Sequence, residues 1–219
     1  MNKNRKCINQ KDPVSTNKPG RPERQGTQPK AFAQARRQGI EPMRKEFGKV
    51  LRDYFSRKMK SLVPDFAEEK VKSVHIGPGE RAFCKKIDDS LYCWIVLSPS
   101  AKDYDEFTLM VGWSNRARYP ELSPIPSHIS PTPDRSEFSE SEYLVRLPEL
   151  SSGKDVWWVI KPFEAPLTIA QLQASLSPVS KQEAQALVIP QVDSAFNRLI
   201  ETGLPYLKAY VDFKQRLNA

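Results

Sequence analysis

Two histidines, three cysteines and a few clustered carboxylates are the groups this chain offers for catalysis or metal binding. His75 precedes Ile76-Gly77-Pro78-Gly79-Glu80, a Gly-x-Gly turn that lacks the third glycine and the Lys-Ser/Thr pair a phosphate-binding loop needs. Cys84 and Cys93 lie on two short β-favouring runs, Arg81 to Ile87 and Leu91 to Ser98, separated by Asp88-Asp89-Ser90. A two-residue Asp88-Asp89 turn sets Cys84 opposite Cys93 and Phe83 opposite Trp94, whereas a three-residue loop sets Cys84 opposite Trp94. Facing thiols could form a cross-strand disulfide, or join His75 and His128 around zinc, and so support a thiol or metal-dependent enzyme. The spacing lacks the short Cys-x-x-Cys or His-x₃-His units of such sites, and two buried thiols acting as small apolar residues is the simpler reading. Asp88-Asp89 and Asp103, Asp105 and Glu106 sit at turns, where carboxylates serve as local hydrogen-bond acceptors. No catalytic residue, metal ligand or cofactor is therefore expected.

Two further groups of residues suit binding. Trp113-Ser114-Asn115-Arg116-Ala117-Arg118-Tyr119 leaves the end of a strand with two cations beside two aromatic rings, which nominates Trp113, Arg116, Arg118 and Tyr119 as ligand contacts. Lys45, Lys49, Arg52 and Lys60, with Ser56 between them, recur at helical spacing and form a cationic stripe suited to a polyanion. The charge is uneven: of the net +8, residues 1–42 carry +7 and residues 43–62 carry +5, leaving −4 for residues 63–219. Such asymmetry favours an anionic partner at one end.

The elements that must position these residues follow from hydrophobic period. Residues 1–42 hold nine apolar residues, with Phe32 the only aromatic, against eight Pro or Gly, and are expected to be a disordered basic tail. Met43 then opens a patterned stretch and is a candidate native start. Met43, Phe47, Val50, Leu51, Tyr54, Phe55, Met59 and Leu62 predict an amphipathic helix that Pro64 stops. Phe107, Leu109, Val111 and Trp113 alternate with Thr108, Met110 and Gly112, and Tyr143, Val145 and Leu147 alternate again. Leu91 to Leu97 is apolar on both faces and belongs at the centre of a sheet, and Val156 to Ile160 reads as a last strand. Ser180 and Glu183 have capping-box spacing, Pro190 interrupts the pattern that follows and either ends one helix or kinks a longer one, Gly203 suits a C-cap and Pro205 the first turn of a final helix. The expected fold is α+β: residues 43–219 as a single domain, with one antiparallel sheet of four to five strands and an N-terminal amphipathic helix and C-terminal helices packed on it. Residues 114–140, with five prolines, form a long Pro-rich loop in that domain.

The order of an N-terminal helix, a hairpin, the strand Phe107-Thr108-Leu109-Met110-Val111-Gly112-Trp113-Ser114 and the helix start Gly203-Leu204-Pro205-Tyr206-Leu207 is similar to that of small bacterial α+β domains of unknown function. The resemblance implies a bacterial cytoplasmic protein and carries over no functional residue. No apolar run approaches the length of a membrane span, the basic Met-Asn-Lys-Asn-Arg-Lys start has no apolar stretch behind it, and three cysteines make no disulfide framework. A cytoplasmic location without membrane association is expected. The leading functional reading is a non-enzymatic binding or accessory domain that engages a protein partner; the alternatives are nucleic-acid binding through residues 1–62 and a thiol or metal-dependent enzyme at Cys84 and Cys93.

Overall fold

The structure, a computed structural model, describes residues 30–72, 76–100, 105–121, 131–162, 168–169 and 179–217, and of residues 30–44 the helical backbone. The expected tail falls mainly on residues 1–29, outside the described residues. Helix α1 spans Lys30–Leu62 and so starts upstream of Met43. Ala31, Ala33, Gln34, Ala35, Arg36 and Arg37 are strong helix formers that outweigh Gly39 and Pro42. From Lys45 onward α1 is amphipathic: Phe47, Val50, Leu51, Phe55 and Met59 are buried, and Pro64 ends the helix.

Five strands run in the order β1 (Ala67–Glu69), β2 (Arg81–Lys86), β3 (Tyr92–Pro99), β4 (Glu106–Ser114) and β5 (Glu142–Arg146), every pair antiparallel, and β6 (Trp158–Val159) pairs with β4 beside β5. The fold is α+β, with β3 at the centre of one antiparallel sheet and the C-terminal helices packed on it. The last apolar run, expected as a strand from Val156 to Ile160, is reduced to two paired residues, and Val156 is half exposed.

The β2–β3 register resolves the turn. Cys84 pairs with Trp94, Phe83 with Ile95 and Lys85 with Cys93, so the two-residue turn is wrong and the three-residue loop is right. Ile87 N–H donates to the Leu91 carbonyl at 2.9 Å, leaving Asp88-Asp89-Ser90 as the connection. Asp88 Oδ1 accepts from the amides of Leu91 and Ser90 at 2.7 Å each and from Ser90 Oγ at 2.9 Å. These bonds, that from Leu91 foremost, hold the carboxyl below its ordinary range.

Alternation along the strands divides the sheet into two faces. Phe83, Cys93, Ile95, Leu97, Phe107, Leu109, Val111, Trp113, Tyr143 and Val145 pack against α1 and the C-terminal helices. Ala82, Cys84, Trp94, Val96, Met110 and Leu144 form a second cluster on the other face, with Tyr119, Val71 and Ile76 against it. On the helical side the Trp113 ring stacks between Tyr143 (centroids 4.6 Å) and Tyr210 (3.6 Å), and Phe138 meets it edge-on at 5.5 Å.

Phe138 belongs to a 3₁₀ turn, Ser136–Ser139, at the end of the Pro-rich connection; residues 122–130 of that connection lie outside the described residues. The returning segment is pinned by Glu137, which is 4% exposed and accepts from Tyr206 OH and Thr132 Oγ1, both at 2.5 Å. Burial pushes its carboxyl up, but the bonds from Thr132 and Tyr206 outweigh burial and hold it below the ordinary value.

Helix α2 (Leu147–Ser152) follows β5. Helix α3 (Lys181–Arg198) begins with Ser180 Oγ accepting from Glu183 N–H at 3.1 Å, as the capping-box spacing requires. Gly203 is not a C-cap. The chain passes from α3 through a π-helical turn, Leu199–Gly203, straight into α4 (Leu204–Leu217). Leu204 N–H donates to the Leu199 carbonyl, five residues back, and this change of hydrogen-bond register coincides with Pro205, which has no amide to donate. Gly203 is small for packing: a Cβ there would lie 2.9 Å from Leu147 Cδ1 and from Leu199 Cδ1.

Gly112 is the tightest position in the sheet. A Cβ there would lie 1.9 Å from the Tyr143 carbonyl oxygen and 2.8 Å from Leu144 Cα, both backbone atoms that cannot rotate away. Gly112→Ala must push β5 from β4 and is expected to cost about 1–3 kcal/mol or more in urea denaturation. An unchanged midpoint would mean that the β4–β5 pairing yields freely.

Candidate functional site

A cleft of about 330 Å³ opens on the face of the sheet opposite the helices. Its floor is Cys84, Tyr92 and Trp94; one wall is residues 69–72, and the other is residues 117–119 with Glu121. The floor follows from the strand period. Tyr92 and Trp94 are two apart on β3 and share a face, and pairing places Cys84 beside Trp94.

The second wall exists because the chain reverses after β4. Asn115 N–H donates to the Ser141 carbonyl and Ala117 N–H to the Ser90 carbonyl, each at 2.8 Å, which ties the segment to both neighbouring connections. Ala117 takes φ 51°, a left-handed conformation that residues with a Cβ adopt at a cost. Beyond it, Trp94 Nε1 donates to the Arg118 carbonyl at 3.2 Å, and the Tyr119 ring meets Trp94 edge-on at 5.2 Å. Tyr119 is 5% exposed, and its hydroxyl has no hydrogen-bond partner among the described residues. Burial, with the charge of Glu80 nearby, raises its pKa.

Charges edge the cleft. Arg118 pairs with Glu121 and, through Nε, with Glu142 at 3.3 Å. Lys86 reaches Glu69 at 3.9 Å and lies 5.4 Å from the Tyr92 ring centroid, within cation–π range. Lys70 and Lys72 are exposed and have no ion pair among the described residues, so the first wall carries uncompensated positive charge. The cleft therefore joins an aromatic floor to a rim that favours anions.

Of the nominated binding residues, only Arg118 and Tyr119 line this cleft. Trp113 does not: it is fully buried on the helical face, in line with Leu109 and Val111, and cannot touch a ligand. Arg116 is exposed but lies outside the lining. Tyr92, Trp94, Lys86, Lys70 and Lys72 went unrecognised in the sequence. The Tyr92-x-Trp94 spacing was the available signal, and it gains meaning only once the register puts both rings under the reversed segment.

The cationic stripe is distributed as its spacing implies. Lys45, Lys49 and Lys60 are exposed on α1. Arg52 is half buried, its guanidinium close enough to Gly48 and Gly79 that a Cβ at either would lie 3.0 or 3.7 Å from Nη1. A larger groove of about 750 Å³ separates the Pro-rich return from α4, but its rim balances Arg135 and Arg216 against Asp134 and Asp212.

The cysteines do not form a joint site. Cys93 faces the helices and Cys84 the other side of the sheet, so neither a cross-strand disulfide nor a shared metal is possible between them. The reading of facing thiols fails because one extra loop residue moves each side chain to the opposite face. Among the described residues no three His, Cys, Asp or Glu side chains are grouped to hold a metal ion; His75 and His128 lie outside the described residues. The Gly77-Pro78-Gly79 turn is closed by Glu80, whose carboxylate accepts from Gly77 N–H at 2.6 Å and Ser98 Oγ at 2.5 Å. No helix among the described residues is long and apolar enough to cross a membrane.

No protein-family model, curated protein or solved structure matches this chain.

Burial pushes the thiols of Cys84 and Cys93 up to about 12, and burial also raises Tyr143, Tyr206 and Tyr210. Each group is neutral in the fold at a pH where the unfolded chain has lost its proton. Stability therefore falls as pH rises above the unfolded thiol value of about 8.5. The urea midpoint is expected to drop steadily between pH 8 and pH 11. Peptide mapping after alkylation of native protein at pH 8 should find Cys84 and Cys93 unmodified, and modified only after unfolding. A flat alkaline profile with rapid native alkylation would contradict the burial described.

Proposed function

We propose that this chain is a non-enzymatic binding domain that takes an extended segment of a protein partner into the cleft between residues 69–72 and 117–121. The observation that carries this reading is the joining of an aromatic floor to a cationic wall in one concave site. Tyr92, half-buried on the floor and supported by the buried Trp94 beside it, offers ring surface to an apolar side chain, and Lys70 and Lys72 offer charge to acidic residues beside it. Arg118 and Lys86 are already committed to carboxylates of the fold, so they shape the rim, and the lysine wall sets the preference for an acidic segment.

The test is selection of random twelve-residue peptides on the full chain. Binders are expected to combine Asp or Glu with a large apolar residue. Lys70→Glu with Lys72→Glu, both exposed positions, should weaken the selected peptides about tenfold or more while leaving the melting temperature unchanged. Peptides without this composition, or an affinity untouched by the double substitution, would overturn the proposal.

A further inference from the structure

From the geometry of α1 we infer that this chain has a second, independent interaction surface: the outer face of the helix, carrying Lys45, Lys49, Arg52 and Lys60, which grips the phosphate backbone of nucleic acid. At 3.6 residues per turn these four side chains and Ser56 fall within an arc of about 80° and extend about 22 Å along the axis. Glu46 and Asp53, the only acidic residues of α1 after Met43, lie on one flank of that arc. None of the four cations has an ion-pair partner among the described residues, in contrast to Lys58, which is held by Asp193 at 2.8 Å. The stripe is thus charge that the fold leaves unneutralised.

Three features select nucleic acid over other polyanions. Firstly, α1 is a single helix of 33 residues, about 50 Å long, and its sequence also includes Lys30, Arg36, Arg37 and Arg44, so its ten basic residues outnumber its three acidic ones along one continuous helix. Secondly, a duplex presents about one charge per 1.7 Å of its axis, a continuous match to a straight row of cations that a short acidic peptide does not supply. Thirdly, adsorption of a helix on anionic lipid requires an exposed apolar face, and that of α1 (Phe47, Val50, Leu51, Phe55, Met59) is buried in the core. The contacts are to phosphates, so binding is independent of base sequence.

The surface is tested on residues 1–219 by fluorescence anisotropy with a random-sequence 30-base-pair DNA duplex between 50 and 300 mM salt. Wild-type affinity is expected to fall linearly on a log–log plot. Lys45→Gln, Lys49→Gln, Arg52→Gln and Lys60→Gln together should flatten the slope by about 3 to 4, one contact contributing about 0.9. A control with the same loss of charge elsewhere (Lys154→Gln, Lys181→Gln, Lys208→Gln, Lys214→Gln) should leave the slope unchanged, and the set Lys45→Arg, Lys49→Arg, Arg52→Lys and Lys60→Arg should keep wild-type binding. No duplex binding at 50 mM salt, an equal effect of the control set, or equal affinity for polyglutamate or phosphatidylserine vesicles at matched salt would overturn the inference. The outcome is separate from that of the cleft, because the peptide assay reads Lys70 and Lys72 and this one does not.

Discussion

The stacking of Trp113 between Tyr143 and Tyr210 is the contact on which the rest of the domain is arranged. Trp113 lies one residue before the end of β4, Tyr143 lies across from it on β5, and Tyr210 comes from the last helix, so one ring joins two strands to the C-terminal helix. Phe138 closes the edge of the stack and brings in the end of the long connection. Each such aromatic pair adds about 0.5–1.5 kcal/mol beyond the area it buries, and here several share members, so loosening one ring loosens all. Hydrogen bonds tie two rings of the stack: Trp113 Nε1 donates to the Glu140 carbonyl at 3.1 Å, and Tyr210 OH and Asn115 exchange bonds at 2.9 and 3.1 Å. Glu137 would cost several kcal/mol if buried alone, and its three hydrogen bonds from Tyr206 and Thr132 are what make its position tolerable.

That constraint determines the opposite face of the sheet as well. With Trp113 turned toward the helices, Ser114 must point the other way, and its hydroxyl donates to buried Glu142 at 3.1 Å. Arg118 reaches the same carboxylate from the reversed segment. The turn after β4 is thus fixed at one end by the helical core and at the other by a buried carboxylate, and Tyr119 is left to cover Trp94. The strain at Ala117 is the local cost of a reversal this sharp. The cleft is therefore no accident of a loose loop; its second wall is held by the same strand end that organises the core.

Period alone made the strands and helices legible. Phe107, Leu109, Val111 and Trp113 alternate so regularly that the inward face of β4 could be read directly, and the capping of α3 by Ser180 followed from two residue types at a fixed spacing. What could not be read were choices that hinge on a single residue of register or a backbone contact. Asp88-Asp89-Ser90 admits a loop of two or three residues, and the difference moves Cys84 from Cys93 to Trp94. Gly203 has the composition of a helix end, yet its lack of a side chain serves Leu147, which is distant in sequence. Trp113 adjoins two arginines, which suggests a ligand contact, but its alternation with Leu109 and Val111 places it in the core. The cleft residues were hidden for a further reason: residues 69–72, Tyr92 with Trp94, and Arg118 with Tyr119 come from three separate stretches that only pairing and reversal bring together.

The two proposed surfaces differ in their physics, and ionic strength separates them. The α1 stripe has no apolar component on its outer face, so the binding proposed for it would rest on counterion release and coulombic attraction, both of which salt erodes. The cleft combines charge with aromatic floor. Salt screens Lys70 and Lys72, but an apolar side chain buried against Tyr92 would contribute about 25 cal/mol per Å² regardless. Residues 63–219 carry −4, so the lysine wall is a local exception on an acidic domain, whereas α1 continues the charge of the +12 segment to which it belongs. A ligand that needs both apolar contact and charge finds them together only at the cleft, and one that needs charge alone finds more of it on the helix. The division of basic and acidic character along the chain thus underlies both proposed surfaces, which would take different partners.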